Sequence, residues 1–156
     1  MIGRCVIKKN DFVLKDKKSI FIDKKVVIGK NVIIYENNRI EGNTVIDDNV
    51  TIFPNSYILS SKINKGSKIW TSVIENSKIG KCCSVGPFSH LKKSKLNDQV
   101  KVGAFCEIKN TEIKEGVVVS AGTIMIEENF KIWFHWWQGF LILQKKAGKS
   151  VFFYCN

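Results

Sequence analysis

The chain is poor in several residue types whose scarcity excludes whole classes of protein. Among its 156 residues there are only two Pro, two His and two Arg (Arg4 and Arg39). With His90 and His135 as the complete set of imidazoles, one chain cannot supply a three-histidine zinc site. No apolar run reaches the roughly 18 residues that a membrane span needs. The opening Met1 to Lys9 stretch has no uninterrupted apolar core of the kind a signal peptide carries, so a cytoplasmic location is expected. The five cysteines (Cys5, Cys82, Cys83, Cys106 and Cys155) are an odd number, and the adjacent Cys82-Cys83 pair lacks metal-site spacing, so they read as free thiols and no metal is expected. The formal net charge of +11 comes almost wholly from Lys. Lysine attracts phosphate but lacks the planar fork that reads bases, and no nucleic-acid-binding motif accompanies it, so a nucleic-acid partner is not expected.

A repeat dominates what is present. From Ile22 to Val119, 18 aliphatic anchors recur, and of the 17 steps between them 12 are six residues long and five are five. Neither a helical period of 3.6 nor the simple alternation of a strand keeps that phase. A second, slimmer residue falls at anchor +4 (Val26, Val32, Thr44, Val50, Ser56, Ser67, Val73, Cys83, Ser89, Val100, Cys106 and Val117), as expected if two residues per hexad enter a narrow prism. Polar pairs such as Lys30-Asn31, Asp48-Asn49 and Lys65-Gly66 occupy the expected corners, where Gly, Asn and Asp tolerate unusual backbone angles. Three hexads make an 18-residue coil, so the expectation is an all-β parallel β-helix of about five coils, each burying its anchors by stacking on its neighbours. The chain accordingly divides into a leading segment (1–21), the β-helix (22–124) and a non-repeat, irregular C-terminal tail (125–156).

Several segments resemble one family of hexapeptide acyltransferases with a left-handed parallel β-helix. Residues 38–46 (Asn-Arg-Ile-Glu-Gly-Asn-Thr-Val-Ile), 72–80, 85–91 (Val-Gly-Pro-Phe-Ser-His-Leu) and 102–109 (Val-Gly-Ala-Phe-Cys-Glu-Ile-Lys) resemble the C-terminal half of the bifunctional N-acetylglucosamine-1-phosphate uridylyltransferase / glucosamine-1-phosphate N-acetyltransferases. The resemblance covers roughly residues 1–120. It implies acetyl transfer from the co-substrate acetyl-CoA to the amine of a sugar phosphate on the way to UDP-N-acetylglucosamine, without a metal for that step, in a homotrimer. No Gly-rich nucleotide loop occurs, so no uridylyl transfer is expected from these residues.

Carried over residue by residue, the Glu-x-Lys motif puts Lys109 on the family's phosphate-contacting lysine. The family's arginine after Gly-Pro-Phe falls on Lys92, which keeps the charge and loses the bidentate fork. A solvated lysine at a coil corner is the plainer reading of each. The family's general-base histidine segment would follow Ser120, where Ala121 stands instead, so no catalytic residue is assigned. His90 belongs to the earlier Gly-Pro-Phe hexad, where the family's base does not lie.

Val119-Ser120-Ala121-Gly122-Thr123-Ile124 reads as two family hexads joined with about one coil omitted. Beyond Ile124 the hexad ends, and nine of the 17 aromatics fall in residues 125–156. That tail reads as out of frame with the family sequence, or as an apolar cap or membrane-surface segment. Three function classes follow: a sugar N-acetyltransferase of impaired activity, a non-catalytic β-helix remnant that still trimerises, and a binder that holds an anionic sugar on Lys92, Lys93, Lys95, Lys101 and Lys109 without chemistry.

Overall fold

The computed structural model of the chain describes residues 6–7, 12–132, 136–137, 140–144 and 150–152, with side chains described for residues 12–126. The fold is a parallel β-solenoid with three flat faces, each of at least seven short strands. One face stacks Val6–Ile7, Val27–Ile28, Val45–Ile46, Lys62–Ile63, Lys78–Ile79, Lys95–Leu96 and the end of Glu107–Ile113. The next runs from Val13–Leu14 to Val118–Val119, and the third from Phe21–Ile22 through Val73–Glu75, His90–Lys92 and Glu107 to the strand Ile124–Ile132.

Seven coils therefore replace the expected five or so. Strand pairing starts ahead of the anchor series, at Val6↔Val27 and Val13↔Ile33, and continues beyond it at Glu107↔Ile124. After early coils that repeat at 18 residues, such as Phe21↔Arg39 and Val27↔Val45, the coils are also shorter than three full hexads. The third-face column Glu75, Lys92, Lys109 advances by 17 residues per coil, because the corner between the third face and the first is a residue tighter.

All 18 anchors are buried at 3% exposure or less. Burying one Ile or Leu side chain contributes about 1.5–3 kcal/mol, so this column is the main source of stability. The expected slim positions hold with one correction: Val73 is half-buried, and its neighbour Ser72 points inward. Strand side chains alternate, so the second inward residue lies two before the next anchor. After a six-residue step that is anchor +4, and after a five-residue step it is anchor +3, which selects Ser61, Ser72, Ser77, Ser94 and Thr111. From Asn31 onward the corners carry residues in the left-handed region, among them Asn31, Asn49 and Gly66 as expected, and also Phe88 and Phe105.

In the C-terminal segment the backbone continues the parallel ladder to Ile132, with a shift in register after Lys109. Trp136–Trp137, Phe140–Gln144 and Ser150–Phe152 pair as antiparallel strands. How the side chains of 127–156 pack, and so whether they cap the prism, lies outside the described residues. Among the described residues no helix is long and apolar enough to cross a membrane.

Candidate functional site

The third face carries Lys92 and Lys109, the two lysines singled out in the sequence. Its strands present two outward positions per coil, and the strict register aligns each into a column. One column runs Arg39, Tyr57, Val73, His90, Glu107, Ile124; the other runs Glu41, Leu59, Glu75, Lys92, Lys109, Ile126. Lys92 and Lys109 are thus direct cross-strand partners one coil apart. They sit on strands and not at corners, about one inter-strand spacing of ~4.8 Å from each other at the backbone. Of the other lysines considered for an anion, Lys93 turns the corner after Lys92, Lys95 lies on the first face beside Glu112, and Lys101 lies on the second. Of these five lysines, only Lys92 and Lys109 share an outward column of this face.

Three acidic or imidazole side chains complete the cluster. Glu75 Oε2 stands 3.5 Å from Lys92 Nζ and also 3.5 Å from His90 Nε2. Lys109 forms an ion pair with Glu107, and hydrogen bonding from that ammonium, with its charge, holds the Glu107 carboxyl below the ordinary carboxylate range. His90 and Glu107 are themselves register partners. Like charges directly across a parallel pair repel, and the two carboxylates relieve the Lys92/Lys109 contact.

Farther along the face, Arg39 binds Glu41 at 2.7 Å and the Tyr57 hydroxyl donates to the other Glu41 oxygen at 3.0 Å. The hydrogen bond from Arg39 lowers the Glu41 carboxyl, while burial and then the bond to Glu41 push the Tyr57 phenol up. At the other end the columns close on exposed Ile124 and Ile126. The corner leading into the same two coils carries Phe88 and Phe105, 59% and 66% exposed, with ring centroids 5.3 Å apart. The cation cluster is therefore bordered by apolar surface on two sides.

The family resemblance singles out Lys92 and Lys109 in the sequence and not Glu75, which the fold sets beside Lys92. Its signal was the 17-residue interval shared by 75, 92 and 109, legible only once the coil length is known. Among the described residues no group of three His, Cys, Asp or Glu side chains could hold a metal ion.

Residues 54–131, half of the chain, match the family described as GlmU-like, C-terminal hexapeptide. The chain belongs to that family. The matched segment contains Glu75, His90, Lys92, Glu107 and Lys109. No curated protein matches the sequence. Among solved structures, the chain is similar to the UDP-N-acetylglucosamine acyltransferase from Campylobacter jejuni at 17% identity and a TM-score of 0.44, over 76% of this chain and 66% of that one. It is similar to PerB from Caulobacter crescentus, solved with CoA and GDP-perosamine, at 14% identity and 0.46, over 81% and 49%. A hexapeptide transferase family protein from Anaplasma phagocytophilum gives 16% and 0.42, over 96% and 78%. The chain thus spans less than two thirds of the length of the first two.

Proposed function

We propose that the third face is the acceptor site of an acetyl-CoA-dependent glucosamine-1-phosphate N-acetyltransferase, with the sugar phosphate held between Lys92 and Lys109. The observation that carries this reading is the register pairing of the two lysines on adjacent coils. Two lysines whose backbones lie one strand spacing apart can both reach a phosphate bearing close to two negative charges. In its absence each rests on a carboxylate, Glu75 or Glu107. Both pairs are at least partly exposed and screened by solvent, so a doubly charged phosphate can outcompete them. The acceptor and donor come from the family resemblance, as does the homotrimer, in which a second β-helix would close over this face.

The test is release of CoA thiol when purified chain, acetyl-CoA and glucosamine-1-phosphate are combined, with Lys109→Ala as the comparison. Turnover that falls at least tenfold in K109A is the expected result, and no turnover from the wild type would overturn the reading. A second reading, an anionic-sugar binder without chemistry, is favoured by one observation: Ala121 follows Ser120 where the family's base segment would stand. Calorimetric binding of glucosamine-1-phosphate that is lost in K109A, with no thiol released, would select it.

A further inference from the structure

Among the described residues, one buried side-chain nitrogen or oxygen atom has no hydrogen-bond partner, and it is His90 Nε2. An unsatisfied buried polar group is unfavourable and calls for an explanation. The neighbouring acceptor is Glu75 Oε2 at 3.5 Å, on the preceding coil of the same face. That distance is just too long for a hydrogen bond, and a small side-chain shift closes it. The imidazole as a whole keeps 36% of its side-chain surface exposed, so the covered Nε2 is the anchored side of the ring. Around it stand Glu75 from the coil before, Glu107 from the coil after and Lys92 two residues on along its own strand.

We propose that His90 is the proton acceptor for acylation of an amine bound on this face, with Glu75 holding the proton on Nε2 and thereby leaving the Nδ1 lone pair free. This rests on the acceptor reading given above. A carboxylate that fixes one imidazole nitrogen as the donor makes the other the base, the arrangement by which acid–imidazole pairs serve acyl transfer in unrelated folds. The placement is suitable because side chains two apart on a strand face the same side. A sugar whose phosphate lies on Lys92 and Lys109 therefore sits over the strand that carries His90.

The step balances without a further reagent beyond an acyl-CoA thioester. The acceptor ammonium first loses one proton to solvent. The neutral amine nitrogen attacks the thioester carbonyl, forming the C–N bond, and the C–S bond breaks. The second proton passes from that nitrogen to His90 Nδ1 and then to the departing thiolate, giving amide and free CoA thiol.

The experiment compares wild type, His90→Gln, His90→Ala and Glu75→Gln in the thiol-release assay with acetyl-CoA and glucosamine-1-phosphate, after thermal unfolding shows that each variant folds. The expected result is a fall in kcat of about a hundredfold or more in H90Q with KM for the sugar phosphate little changed, a smaller fall in E75Q, and partial recovery of H90A by added imidazole. A packing role for His90 would not produce rescue by imidazole. If H90Q keeps wild-type kcat, or if H90A is impaired and imidazole restores nothing, His90 is not the acceptor and the acetyltransferase reading stands. If the wild type itself turns nothing over, that reading fails and this inference with it.

Discussion

The Ser77 hydroxyl joins two coils: it accepts the backbone N–H of Ser94 at 3.1 Å and donates to the Glu75 carbonyl of its own coil at 2.8 Å. The relationship repeats up the prism, with Ser61 accepting from Ser77 and Ser94 from Thr111 on the same face. A parallel set links Ser56, Ser72, Ser89 and Cys106. Along these two runs the slim inward residues thus form a hydrogen-bond ladder in which each hydroxyl satisfies a buried N–H of the next coil, which an apolar residue of equal size could not do.

Ser77→Ala should therefore cost about 1–3 kcal/mol, the penalty for stranding the Ser94 N–H without an acceptor. Lys78→Ala, next to it and exposed, should stay within about 0.5 kcal/mol. Urea denaturation of both variants checks the contrast, and a Ser77→Ala midpoint equal to that of Lys78→Ala would refute the ladder as a source of stability.

That ladder also marks where the sequence was legible and where it was not. The anchors could be read directly because large aliphatics recur at five or six residues whatever the corners do. The partner column required knowing that inward residues sit two before the next anchor, and Val73 was misplaced for want of that rule while Ser72 went unseen. Glu75 escaped for a related reason. Its relation to Lys92 is a contact between coils, and a 17-residue interval means nothing until the shortened corner fixes the coil length. Lys109 and Lys92 were found through motif resemblance, whereas their direct pairing came from register alone.

Two glycines separate backbone strain from steric collision. Gly86 and Gly116 both have positive φ, at 104° and 71°. A Cβ at Gly116 would meet nothing within 4 Å, but at Gly86 it would collide with the Trp70 carbonyl oxygen and the Ser72 hydroxyl. Gly116→Ala should cost about 1–2 kcal/mol from the left-handed backbone alone. Gly86→Ala adds displacement of the adjoining coil and should lose clearly more, read as the difference in urea midpoint between the two variants.

The adjacent thiols Cys82 and Cys83 should behave oppositely. Cys82 is exposed at a corner, and Cys83 is 2% exposed at a slim inward position, where burial pushes its thiol up to about 11 from 9.0. Only the thiolate is nucleophilic. Iodoacetamide at pH 8 followed by peptide mapping should alkylate Cys82 rapidly, and Cys83 and buried Cys106 only after denaturation. The raised value has a linked effect on stability. The neutral thiol is favoured in the fold, so its contribution is complete below pH 9 and is lost as pH rises through about 11. Comparable labelling of Cys82 and Cys83 in the native chain would show that this part of the prism opens readily.

Glu112 carries the sharpest acid response. Hydrogen bonds from Lys95 first, then Asn97 and Lys114, bring its carboxyl down to about 2, against an ordinary 4.5. A depressed carboxylate stabilises the fold above its unfolded value, so this contribution is present above pH 4.5 and disappears as pH falls through about 2. With the side chain 29% exposed and the ions screened by solvent, the effect should be about 1 kcal/mol. Glu112→Gln should destabilise the chain by about that amount at pH 6 and by clearly less at pH 2, where the folded-state carboxyl is about half protonated, as measured by urea unfolding at both values. It should also free Lys95, which stacks in register on Lys78 and through it on Lys62, so added salt should recover part of the loss at pH 6 by screening that column of like charges. An equal loss at both pH values would mean that Glu112 acts by packing and not through its charge.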